Sequence, residues 1–316
     1  MRWLIGIADR THPLALPGAW VILCLIAYSA LFSAFPGNGC CWRNPVQLWG
    51  TALTYTFISG YLLAAITYRY RGHRDTVKAL RPLAVDTKAV DEALADVSVR
   101  VVLLAGLVGA IFGLSQYAVV LSTPSLLQPV PDIPLIIGNL LLWIVIGMLT
   151  VSRMHDVLAM RRLGRSLNVD LYNLKTLRPI GRSAVVDVLV VMGALAFMPL
   201  QSLDAEFNWG NYQAGLFFGL IVSVLIFYLP LSGVHVQIRE AKAARLLALQ
   251  EQIDAQDRAD AVTLEALVAH RDRVAHLSSW PVDLSILSRV GFYLISPPLA
   301  WVGAALVETL VQGYVD

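Results

Sequence analysis

The stretch IPLIIGNLLLWIVIGMLTV, Ile133 to Val151, is followed directly by SRMHDVLAMRRLGR, Ser152 to Arg165. The first part has no charge. The second brings Arg153, Arg161, Arg162 and Arg165 within a few turns. A helix rising 1.5 Å per residue needs about 20 mainly apolar residues to cross ~30 Å of hydrocarbon, and Ile133 to Val151 meets that requirement. The basic tail identifies the end that stays in the cytoplasm, because Lys- and Arg-rich loops are not translocated.

The same alternation recurs along the chain. Five more apolar runs qualify: about Pro17 to Phe35, Gln47 to Tyr68, Val97 to Gln116, Ser183 to Gln201 and Gln213 to Val234. A seventh, Leu284 to Val315, is long enough but contains Pro297-Pro298, which is expected to kink or break it. Basic residues fill Arg69 to Arg100 and Arg153 to Arg182, whereas Tyr117 to Asp132 and Ser202 to Tyr212 hold no Lys or Arg. Of the 24 Lys and Arg residues, only Arg43 falls in a loop expected outside.

The expected architecture is an all-α integral membrane bundle of about seven helices with a cytoplasmic N-terminus. The predicted location is the cytoplasmic (inner) membrane of a bacterium or archaeon, and the first apolar run is read as a retained helix because it exceeds a signal h-region. Composition agrees: 57% hydrophobic, 15% charged, a net charge of only +2 and a mean hydropathy of +0.64. β-Barrel strands would alternate apolar and polar residues, and these runs do not.

Three regions follow: residues 1–234, a six-helix membrane region; 235–283, a cytoplasmic helical hairpin; and 284–316, the Pro-broken last helix. The hairpin rests on Val234, Ile238, Ala241, Leu246, Leu249 and Ile253, which share one broad helix face, and on Leu264, Leu267, Val268, Val274 and Leu277 after a polar break. Each arm is too short for an extended coiled coil.

No catalytic set is arranged for nucleophilic chemistry, so no enzymatic activity is expected. The six histidines lack metal-ligand spacing, and neither a metal nor a cofactor is expected. The basic loops flank membrane spans without an aromatic platform, which argues against nucleic acid. Cys24 reads as a small apolar residue within the first helix. Cys40 and Cys41 form a vicinal bridge, an intersubunit link or free thiols. Asp187, one residue beyond helix-pair spacing from Arg182, is expected to bond to another helix in a structural role.

The last helix is the most informative for function. At 100° per residue, Ala300, Trp301, Ala304, Ala305, Glu308 and Gln312 gather on one side. Ile295, Leu299, Val302, Leu306 and Leu310 gather on the other. The small and polar side either packs closely on neighbouring helices or lines a wet path. Glu308 is either an intramembrane carboxylate, hence a functional candidate, or an interfacial residue.

Three patterns carry a resemblance: Leu229-Pro230-Leu231 with Val234-His235; Asn173-Leu174-Lys175 with Leu177-Arg178-Pro179; and Trp280-Pro281 with Asp283, Tyr293, Pro297 and Glu308. The second half of the chain resembles a group of prokaryotic multi-pass membrane proteins of uncharacterised activity. In topology alone the layout resembles insect odorant and gustatory receptors, whose C-terminal motif has no recognisable match in this chain. That likeness implies a homo-oligomeric channel with the last helix at the pore. Two readings result: an oligomeric ion channel or channel-like transport protein of the inner membrane, or a non-conducting membrane sensor or scaffold that binds a cytoplasmic protein through its hairpin.

Overall fold

A computed structural model describes residues 15–34, 49–122, 133–203, 209–255, 261–281 and 284–315. Cys40, Cys41, Arg43 and the segments expected to link helices on the non-basic side at 123–132 and 204–208 lie outside the described residues. Among the described residues nine α-helices follow in order: α1 Ala15–Ala34, α2 Trp49–Leu80, α3 Thr87–Leu94, α4 Val99–Ser122, α5 Ile133–Arg165, α6 Arg178–Leu195, α7 Trp209–Ala255, α8 Ala261–His276 and α9 Leu284–Val315. No strand occurs among the described residues, only an isolated bridge between Ala84 and Leu167.

The fold is an all-α membrane bundle, because a chain in hydrocarbon must bond its own backbone. Among the described residues, five helices are long and apolar enough to cross a bilayer. A sixth is added if α3 and Val99–Ser115, bent by 50°, count as one span. Helices α2, α5 and α7 run well past the apolar stretches, into basic sequence. Their shared end is termed the basic side. The expected fifth span, Ser183 to Gln201, lies within a stretch long and apolar enough to cross, in which α6 runs to Leu195 and a 3-10 turn, Met198–Leu203, follows. Helix α7 passes through position 234 unbroken, so the division between membrane part and hairpin falls inside a helix.

Helix α9 is a single helix of 32 residues that continues through Pro297 and Pro298. The pair therefore does not split the segment in two. Pro297 has no N–H for the carbonyl of Tyr293, and the Ser296 hydroxyl donates to that carbonyl instead, at 3.3 Å. Ser and Thr commonly re-satisfy backbone groups freed by a membrane-helix proline in this way.

Two packing devices organise the bundle. Helices α4 and α5 touch through glycines: a Cβ on Gly109 would run into the Trp143 carbonyl, and one on Gly147 into the Ala105 carbonyl. In lipid, where apolar surface gains little by hiding, such close backbone approach provides the attraction. Leu103, Leu107, Val108 and Ile111 of α4 are exposed.

The largest apolar core lies at the basic side. It joins Val77 and Leu80 of α2, Val90 of α3, Met160 and Leu163 of α5, Leu167, Leu177, Ile180 of α6, and Leu231, Val234 and Ile238 of α7. The segments that sequence alone marks as charged loops thus wrap an apolar interior with most of their charges outward and Arg69 buried. Short bonds stitch them together: Val85 N–H to Ser166 O at 2.9 Å and Asn168 N–H to Leu83 O at 2.7 Å. Asp86 caps α3 by accepting from Lys88 N–H at 2.9 Å. Because α3 is docked on α5, the cap also orders the connection between two membrane helices.

The hairpin is docked on its own chain. Leu249 is buried. The Lys242 ammonium donates to the carbonyls of Ala275 (2.6 Å) and Leu277 (2.9 Å), closing the C-terminal end of α8, where a cation complements the helix dipole. His235 stacks on Trp280 with ring centres 4.3 Å apart, and its Nδ1 lies 2.8 Å from Ser279 O. His270 meets the Tyr172 hydroxyl at 2.5 Å, tying α8 to the segment between α5 and α6.

Candidate functional site

One face of α2 carries Arg69, His73, Val77 and Leu80, all buried. Their spacing of four, four and three residues is that of a single helix stripe. The stripe starts where the apolar run ends and leads into the basic-side core. Arg69 is the first charge on it, and its burial demands a partner, since an isolated ion in low dielectric is very costly.

Helix α6 supplies that partner. Ser183 and Asp187, four residues apart, present their side chains to Arg69. Arg69 Nε donates to Asp187 Oδ1 and Arg69 Nη2 to Asp187 Oδ2, both at 2.7 Å, while Nη2 also donates to Ser183 Oγ at 2.9 Å. The Arg69 and Asp187 side chains are only 4% and 8% exposed. This fork-to-fork geometry is the strongest form of the Arg–carboxylate bond. Asp187 thus bonds to another helix, as its sequence position suggested.

Helix α5 adds the second half. Arg153 Nη1 lies 3.8 Å from Asp187 Oδ1. Arg153 also pairs with Asp156 one turn further on, and His155 Nδ1 stands 3.6 Å from Asp156 Oδ1. The cluster therefore holds two guanidinium groups and two carboxylates and is neutral overall. Two polar atoms are left over: Arg153 Nε and His155 Nδ1 are buried without a hydrogen-bond partner. His73, one turn beyond Arg69, has Nε2 2.8 Å from Ala93 O. Since a carbonyl only accepts, Nε2 carries the proton, and the imidazole fixes α3 against α2.

The arrangement can clamp and neutralise; it presents no nucleophile beside a base. Among the described residues no three His, Cys, Asp or Glu side chains come together as a metal site. The described part of α9 divides by face. Trp301 is completely buried, whereas Ile295, Leu299 and Val302 are exposed, and the helix packs on α6 through Ile286, Val290, Tyr293 and Leu294. The side chains of Pro297, Pro298, Ala300, Ala304, Glu308 and Gln312 lie outside the described residues. Sequence reasoning missed Arg69 as the centre of the site. The available signal was its position as the first charge after an apolar run, matched by an acid placed in another.

No protein-family model, curated protein or solved structure matches the chain. Fold and site together define a multi-pass helical membrane protein whose membrane helices are clamped by a buried ionic cluster to a compact basic-side module.

Proposed function

We propose that the protein is a non-conducting membrane sensor or scaffold, which presents its basic-side module to a cytoplasmic partner. The observation that carries this reading is the Arg69–Asp187–Arg153 cluster. Charges at the mouth of a conduction path are expected to be hydrated; here Arg69 and Asp187 are buried and paired with each other, with Arg153 partly buried beside them, joining α2, α5 and α6 where they enter the module. A clamp at that point makes membrane bundle and module one mechanical unit. Two further features support it. The α9 face that would line an intersubunit pore includes Trp301, which is buried within a single chain. The hairpin uses Leu249 and Lys242 internally rather than offering them to a second subunit. A groove lined by Asp170, Tyr172, Ala244, Arg245 and Ala248 is the surface offered to the partner.

In this reading the basic side faces the cytoplasm of a prokaryotic cell, α9 makes a seventh crossing, and no catalytic role is assigned. The test is flux through reconstituted vesicles. Wild-type protein is expected to conduct no more than lipid alone at any applied potential or pH. Cation flux that falls in Glu308→Gln would overturn the proposal and establish the channel reading, since a ring of such carboxylates favours cations.

A further inference from the structure

Three threonines of helix α2 bond in the same way, and Thr56 does not. Thr54, Thr67 and Thr76 each donate to the carbonyl four residues earlier, Gly50, Leu63 and Gly72, at 2.8, 3.4 and 2.8 Å. The Thr56 hydroxyl is buried and has no partner. Its residue is 1% exposed, so water does not serve it from the surface. It lies thirteen positions from Arg69, about 20 Å along the helix at 1.5 Å per residue, well inside hydrocarbon. A buried hydroxyl without a bond at that depth needs an explanation.

Thr56 lines a cleft between α1, α2 and α5. Its deep wall includes Ser59 and Tyr28, both buried, and its rim includes Leu23, Ile137 and Leu141, all exposed. The rim is apolar and at membrane depth, so the cleft opens sideways to lipid rather than to water. Ser59 is already engaged: it accepts from Trp20 Nε1 at 2.9 Å and donates to Thr56 O at 3.1 Å. Trp20, Tyr28 and Tyr55 place three aromatic side chains along the same cleft. A flat, apolar group can stack there, and once the side chains that seal the Thr56 hydroxyl move aside for it, the Thr56 O–H is left to donate to it.

We propose that this cleft binds a membrane-dissolved lipophile with a planar, carbonyl-bearing head, a quinone-like molecule, whose carbonyl accepts from Thr56 and whose chain leaves past Leu23 and Ile137. A plain acyl chain would fill the apolar part and leave the hydroxyl unbonded. The site does not depend on whether the protein conducts, so flux measurements and this test fail independently.

The experiment is equilibrium binding of a decyl-substituted benzoquinone to the full chain in nanodiscs, with decylbenzene as the carbonyl-free competitor. A photoreactive form of the quinone locates the contact by peptide mapping. Saturable binding is expected, with cross-links to the peptides of Trp20, Thr56 and Ile137. Thr56→Val keeps the shape and removes the donor; it should weaken binding by roughly two- to tenfold, the range of one neutral hydrogen bond. Ala27→Trp, at the rim, should block the cleft. Decylbenzene should compete poorly. Non-saturable uptake by wild type, unchanged affinity in Thr56→Val, or equal competition by decylbenzene would each overturn the proposal. If Ala27→Trp fails to fold, the near-isosteric Thr56→Val still decides it.

Discussion

Replacing Asp187 by Leu removes the acceptor of two 2.7 Å bonds from a guanidinium that is 4% exposed. The cluster then holds Arg69 and Arg153 against Asp156 alone, an excess of one buried positive charge. Breaking a buried pair in this way costs about 3–5 kcal/mol. Arg69→Met creates the mirror imbalance, one excess negative charge, and should cost a similar amount. The double variant Arg69→Met, Asp187→Leu restores neutrality with apolar groups of comparable volume, which is often close to neutral for stability. It is therefore expected to be more stable than either single variant by about 2–4 kcal/mol. The assay is unfolding in mixed micelles with increasing SDS, followed by far-UV circular dichroism, for wild type, both singles and the double. A double variant no more stable than its parents would show that the two side chains are not energetically coupled. Singles as stable as wild type would refute the premise that the pair is dry.

Topology and hairpin docking give the remaining tests. In a variant with the native cysteines replaced by Ser, cysteines at positions 122 and 202 should react with an impermeant thiol reagent from outside, and one at exposed Lys175 only after the membrane is opened. Labelling of position 175 in sealed cells would invert the assigned orientation. Leu249→Asp buries a carboxylate in the interior of the hairpin, at a cost of at least about 2 kcal/mol. It should release α8 and the end of α7 to hydrogen exchange and proteolysis while particle size in detergent stays the same. A smaller particle with an intact hairpin would make Leu249 an assembly contact instead.

Where sequence reasoning succeeded, the cause is local. The apolar runs at 17–35, 47–68 and 133–151 fall on α1, α2 and α5 because a single length rule governs each crossing. The continuation of α7 into the hairpin follows from its helix-forming residues. Pro297-Pro298 does not break the helix, and the carbonyl of Tyr293, which Pro297 leaves without an N–H, accepts from Ser296 instead. The core beneath the basic loops was not legible in the sequence. Val77, Leu80, Val90, Leu167 and Leu177 are too scattered among charges to announce a common core, yet they meet in one.

From sequence alone came the membrane-spanning nature of the chain, the positions of its helices and the sidedness of its charge. Those are properties of one segment against its solvent: hydrocarbon thickness, a self-bonded backbone and the cost of moving cations. Only the tertiary structure decided that Arg69 meets Asp187 across 118 residues, that Leu249 turns inward, and that Thr56 is left without a partner. Each depends on how far a helix is rotated and tilted against its neighbours. In lipid, an apolar face costs almost nothing whichever way it points. Rotation is therefore set by glycine contacts and buried polar pairs between distant segments, which no single stretch of sequence contains.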